Sequence, residues 1–97
     1  MNYINKGKPL PLGSSITSKG VNFSLIATNA EYIEILLFEK EDAVLPKKVF
    51  KLDDSHNTGN YWHAEISNIK EGCIYAFRIK QKNNGTNNNY EKKVLID

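Results

Sequence analysis

The strongest constraint on this chain is the alternation of apolar and polar residues with a period of two. In Gly20-Val21-Asn22-Phe23-Ser24-Leu25-Ile26-Ala27-Thr28, residues Val21, Phe23 and Leu25 share one face, while Asn22 and Ser24 share the other. The same beat places Ile33, Ile35 and Leu37 together within Tyr32 to Phe38, and Trp62, Ala64 and Ile66 within Tyr61 to Ser67. In Ile74 to Lys80 it groups Tyr75, Phe77 and Ile79 against Ala76, Arg78 and Lys80. Successive side chains of a strand point to opposite sides, so each segment reads as a strand with one buried face. Pro46 to Leu52, with Val49 between lysines, reads as an edge strand, and the run Val94-Leu95-Ile96 closes the chain. By this parity His63 and Tyr61 are the outward neighbours of Trp62. The expected core is Val21, Phe23, Leu25, Ile33, Ile35, Leu37, Trp62, Ala64, Ile66, Tyr75, Phe77 and Ile79.

Turn signals separate these runs: Gly13-Ser14-Ser15, Thr28-Asn29-Ala30, Asp53-Asp54-Ser55, Thr58-Gly59-Asn60, Glu71-Gly72 and Asn83-Asn84-Gly85. Short strands with a turn every 8–12 residues, in a chain of 97, predict an all-β immunoglobulin-like β-sandwich of about seven antiparallel strands. Met1 to Leu12, with Pro9 and Pro11, reads as extended. Asn83 to Asn89 contains no apolar residue and reads as a mobile loop. One span breaks the alternation: Leu36 and Phe38 oppose Ile35 and Leu37, so both faces of that strand end apolar. Either a loop of this chain covers Leu36 and Phe38, or they pack against another domain.

Composition narrows the function classes. Thirteen basic and eleven acidic residues interleave to a net charge of +2, which gives a nucleic-acid partner no electrostatic basis. Lys47-Lys48, Lys80, Lys82 and Lys92-Lys93 stand beside acids and read as a solvated mixed surface. No apolar run approaches the ~20 residues needed to cross a bilayer, and no cationic segment leads into one. The single cysteine, Cys73, suits a reducing compartment and reads as a structural thiol.

Catalytic and metal chemistry find little support. His56 and His63 with one cysteine match no metal-ligand spacing. Asp53-Asp54 are strand neighbours that would point apart, so a turn cap is the simpler reading. Gly13-Ser14-Ser15 lacks the lysine and helix of a phosphate-binding loop. The sequons Asn22-Phe23-Ser24 and Asn84-Gly85-Thr86 read as chance in an Asn-rich chain.

Taken in order, several segments resemble the N-terminal domain of isoamylase-type glycogen and starch debranching enzymes, a β-sandwich of the family 48 carbohydrate-binding modules. They are Gly7 to Ser15, Gly20 to Leu25, Asn29-Ala30, Ile33 to Glu39, Thr58 to His63, Gly72 to Arg78 and Lys93 to Asp97. The resemblance implies a non-catalytic accessory domain, residues 1–97, of a longer hydrolase of α-1,6-glucan linkages. Its catalytic carboxylates would lie in an α-amylase-type barrel that follows Asp97. The implied partners are that barrel and an α-glucan, with no cofactor, nucleic acid or membrane. The implied location is the cytoplasm, or a plastid in a plant or alga. Sugar-binding members use two exposed tryptophans where this chain has only Trp62, which implies weak or no sugar affinity. If the chain is instead a genuine glucan-binding module, its candidate contacts are Tyr61, His63, Arg78 and Tyr90. Leu36 and Phe38 are the candidate contacts with a neighbouring domain, and in a third reading they serve a standalone protein–protein module.

Overall fold

A computed structural model describes residues 2–82, 85–86 and 92–95. The strands are β1 (Ile4–Asn5), β2 (Gly13–Ile16), β3 (Gly20–Ile26), β4 (Ala30–Phe38), β5 (Lys48–Leu52) and β6 (Asn57–Thr58). They continue as β7 (Tyr61–Ser67), β8 (Ile74–Gln81), β9 (Gly85–Thr86) and β10 (Lys93–Val94). Among the described residues they form two antiparallel five-stranded sheets. The first runs β1-β7-β3-β2 with β6 on β7; the second runs β10-β8-β4-β5 with β9 on β8. The expected sandwich is therefore present.

Register follows from burial. In the first sheet Val21 pairs with Ile66, Phe23 with Ala64 and Leu25 with Trp62. In the second, Ile33 pairs with Ile79, Ile35 with Phe77 and Leu37 with Tyr75. Slipping either pairing by one residue would turn an entire apolar set to water, so the alternation that predicts the strands also fixes their pairing. Phe23 reaches across the layers to edge-on contacts with Tyr75 (centroids 5.1 Å apart) and Phe77 (6.1 Å).

The core follows the parity prediction, with Leu25, Phe77 and Ile79 packed at its margin rather than fully buried. Ala30, Leu52 and Leu95 join it. Two boundaries move. Gly13-Ser14-Ser15, expected as a turn, pairs along β3 as a strand. Of the final apolar run only Val94 joins the sheet, with Lys93 before it, while Leu95 is wholly buried and Ile96 lies outside the described residues. Of the expected loop from Asn83 to Asn89, Gly85 and Thr86 pair with β8; the rest lies outside the described residues.

The polar side of the first sheet is not open to water. Residues 6–9 strap across it. Asn22 Oδ1 accepts the Lys8 N–H at 2.8 Å, Asn22 Nδ2 donates to the Lys8 carbonyl at 3.0 Å, and Ser24 Oγ donates to the Pro9 carbonyl at 2.6 Å. Gly7 lets the strap lie this close. Its φ is +69°, and a Cβ there would stand 2.5 Å from Asn22 Oδ1 and 2.7 Å from the Ala64 carbonyl carbon. Asn22→Ala removes both bonds to Lys8 and leaves those groups poorly solvated. We expect a loss of about 2 kcal/mol in urea unfolding and faster amide exchange at Lys8.

Candidate functional site

The residues expected to contact sugar fall on two different sheets. Tyr61 and His63 are two apart on β7 and share the outer side of the first sheet. Tyr61 is half-buried at the hairpin end, paired with Thr58 and Ile26. His63 is buried, which corrects its expected exposure. One ring nitrogen, Nδ1, lies 2.6 Å from the Lys6 carbonyl, and Nε2 lies 2.8 Å from Thr58 Oγ1. A carbonyl can only accept, so the partners assign the Nδ1–H to Lys6, with Nε2 facing a hydroxyl that can donate to it. Nδ1 is thereby committed to the strap and Nε2 to β6, and His63 has no edge left for a ligand.

Arg78 lies on the outer side of the second sheet, across the sandwich from Tyr61 and His63. Its Nε donates to Glu34 Oε1 at 2.7 Å, with both side chains partly buried. Glu34 pairs across β5 with Lys51, whose ammonium sits 4.3 Å from the Tyr32 ring centroid. The row Lys51, Glu34, Arg78 sets one carboxylate between two cations on three neighbouring strands. Tyr90 lies outside the described residues. Tyr61, His63 and Arg78 thus form no common platform.

Leu36 and Phe38 require a second correction. They are 0% and 4% exposed, in a cluster with Ile74, Ala76 and the partly buried Ala43. Residues 39–47 fold back over them, so the loop reading accounts for their burial and an exposed interface does not. Lys92 holds the cover: its Nζ donates to the Glu41 carbonyl at 2.7 Å and to the Ala43 carbonyl, and it sits 4.6 Å from the Phe38 ring centroid. The apolar side chains left outside on this loop are Val44 and Leu45, 84% and 79% exposed.

A groove of about 540 Å³ runs beside the strap on the first sheet, lined by Lys8, Leu10, Ser15, Thr17 and Glu65 among others. It offers hydrogen-bonding groups of both kinds and no aromatic face for a sugar ring to stack on. Elsewhere the titratable groups behave structurally. Asp53 caps a 3₁₀ turn over Asp54–His56, accepting from Ser55 Oγ at 2.7 Å and Ser55 N at 3.0 Å; these bonds hold its carboxyl below the usual value. This is the expected cap rather than an acid/base pair. Burial pushes the Cys73 thiol up, partly offset by Lys47. Among the described residues no three His, Cys, Asp or Glu side chains gather as metal ligands, and no helix is long and apolar enough to cross a membrane.

What the sequence reading missed is the strap. The buried polar trio Asn22, Ser24 and His63 could have been suspected from Gly7 between lysines and ahead of Pro9, an extended segment with one left-handed residue.

Comparison with known proteins agrees with this architecture. Residues 11–97 match the family described as Carbohydrate-binding module 48 (Isoamylase N-terminal domain). The chain is 35% identical over 79 residues to a glycogen debranching enzyme of Enterobacter sp. (strain 638), covering 81% of this chain and 11% of that protein. It is 36% identical over 76 residues to the glycogen debranching enzyme of Erwinia tasmaniensis, covering 78% of this chain and again 11% of the relative. The fold also matches the crystal structure of apo pullulanase from Paenibacillus barengoltzii. There the TM-score is 0.65 and identity 20%, over 90% of this chain and 12% of that one.

Proposed function

The chain belongs to the carbohydrate-binding module 48 family of isoamylase N-terminal domains, and from that premise we propose an accessory role in an α-1,6-glucan debranching glycoside hydrolase. The observation that carries this reading is the extent of the match. It spans both sheets of the sandwich, and the matched stretch covers about one-ninth of the debranching enzymes the chain resembles. In this reading the acid and nucleophile carboxylates belong to an α-amylase-type barrel of the same polypeptide. The sandwich contributes no reacting group; it supports that barrel and borders its substrate groove, acting on glycogen or starch in the cytoplasm or a plastid. The domain contact expected of Leu36 and Phe38 passes, in this reading, to the loop they support, through Val44 and Leu45.

Weak sugar affinity fits the same picture. The single tryptophan is a core residue, and the candidate contacts Tyr61 and Arg78 stand on opposite sheets, so these side chains form no common clamp for a glucan. The test is to express the coding sequence extended past codon 97, with and without residues 1–97, and assay glycogen debranching. The full form is expected to release linear chains, and the deleted form to lose about tenfold in rate or several degrees in Tm. A full form that releases no α-1,6-linked chains overturns the reading.

A further inference from the structure

The loop over Leu36 and Phe38 covers an apolar patch with very little of its own packing. Leu36, Phe38, Ile74 and Ala76 form a buried cluster separate from the main core. Residues 39–47, which join β4 to β5, lie over it. Of these nine residues only Ala43 and Pro46 are partly buried, and the other seven are exposed. Ala43 is the loop side chain packed on the cluster, while the larger Val44 and Leu45 stand in solvent.

The loop's own backbone bonds do not tie its crest to the sheet. The Ala43 N–H donates to the Lys40 carbonyl at 3.2 Å, inside the turn, and the Lys47 N–H donates to the Leu37 carbonyl at 2.6 Å, at the base. The crest is instead held from the far end of the sequence. Lys92, just ahead of β10, donates from Nζ to the carbonyls of Glu41 and Ala43, and the same ammonium lies over the Phe38 ring. One charge thus grips the turn on two carbonyls and rests on the ring beneath it. Charge-assisted bonds and a cation on an aromatic face are strong contacts, whereas covering a patch with one alanine methyl contributes little. The hold of the loop on the patch is therefore concentrated in a single side chain.

We propose that residues 39–47 are a lid latched by Lys92, which opens as a unit while the sandwich stays folded. It swings about Leu37 and Lys48, the last paired residues of β4 and β5 on either side of the loop. Closed, it presents exposed polar residues and the crest of Val44 and Leu45; open, it bares Leu36, Phe38, Ile74 and Ala76. Segments with few buried contacts and solvent-exposed backbone open in this way, below the cost of global unfolding. Lys92 sets the balance between the two states, so any apolar surface approaching this face has first to displace the latch.

Amide hydrogen exchange of the 97-residue chain, followed by NMR, separates the lid from the rest. In the wild type, exchange at Ala43 and Lys47 is expected to be nearly insensitive to low urea, because opening the lid exposes little surface. The slowest amides of β3 and β7 should exchange through urea-sensitive global unfolding. Lys92→Met keeps an apolar stem over Phe38 and removes the donors; it should speed exchange at Ala43 and Lys47 about tenfold or more. Ile66→Val, deep in the main core on β7, destabilises lid-open and lid-closed forms alike. It should speed the β3 and β7 amides severalfold and leave Ala43 and Lys47 unchanged.

Exchange at Ala43 and Lys47 that rises with Ile66→Val, in step with β3 and β7, overturns the proposal by showing that the loop opens only with the whole fold. Unchanged exchange at these two amides in folded Lys92→Met overturns it as well, since the latch would then lie elsewhere. If Lys92→Met does not fold, the wild-type urea dependence and the Ile66→Val comparison still decide whether the lid opens alone.

Discussion

Phe23→Ala is expected to remove about 4 kcal/mol of stability, enough to leave this chain marginally folded at room temperature. Phe23 is 1% exposed and comes from the central strand β3, yet its ring touches Tyr75 and Phe77 of the opposite sheet edge-on. Truncation therefore loses the transfer free energy of a buried ring and also leaves a void between two layers that cannot close independently. The strands around it are held in register by their neighbours, so collapse into the gap is limited. Phe23→Leu keeps most of the volume and should cost no more than about 1.5 kcal/mol. Phe50→Ala provides the contrast, because Phe50 is only partly buried, on edge strand β5, and should cost about 1–2 kcal/mol. Urea unfolding followed by Trp62 fluorescence reads all three. Equal losses for Phe23→Ala and Phe50→Ala would show that the sheets are not keyed together at Phe23.

The alternation in β3, β4, β7 and β8 was enough to place the core, because a two-layer sandwich asks only that each strand bury one face. It was silent about what lies on the outer faces. Period two labels Asn22, Ser24 and His63 as outward, and they are outward, but parity carries no information about residues more than fifty positions away. Lys6 reaches His63 across 57 residues, a pairing no local pattern encodes. The same blindness explains why Tyr61 and Arg78 seemed compatible as partners. Each lies on an outward face, and only the sheet assignment reveals that the two faces point apart. Where the pattern itself broke, at Leu36 and Phe38, the sequence did announce an anomaly; choosing between its two explanations required seeing residues 39–47 in place.

That choice can be tested on the chain alone, with Leu36→Asp and Phe38→Asp. If these residues formed an uncovered face awaiting a partner, a carboxylate there would meet water and cost little. In the structure Leu36 is 0% exposed beneath Ala43, and the covering loop is tied down by Lys92. Leu36→Asp then loses a buried side chain, about 2 kcal/mol, and forces either a buried carboxyl or a lifted loop. We expect a total of about 4 kcal/mol or more, with Phe38→Asp somewhat milder because the Lys92 ammonium lies beside it. Val44→Asp, on the exposed crest of the same loop, should stay within about 0.5 kcal/mol of wild type. The deficit at Leu36 also has a pH signature. Burial raises the pKa of the introduced carboxyl above its unfolded value of about 3.9, so the neutral form is the one the fold tolerates. The deficit is therefore least below pH ~4 and grows as pH rises through the window between the unfolded and folded values, until the carboxyl is ionised in both states. A pH-independent loss of less than 1 kcal/mol for Leu36→Asp would instead mean that the loop opens freely, and that this face is available to a neighbouring domain after all.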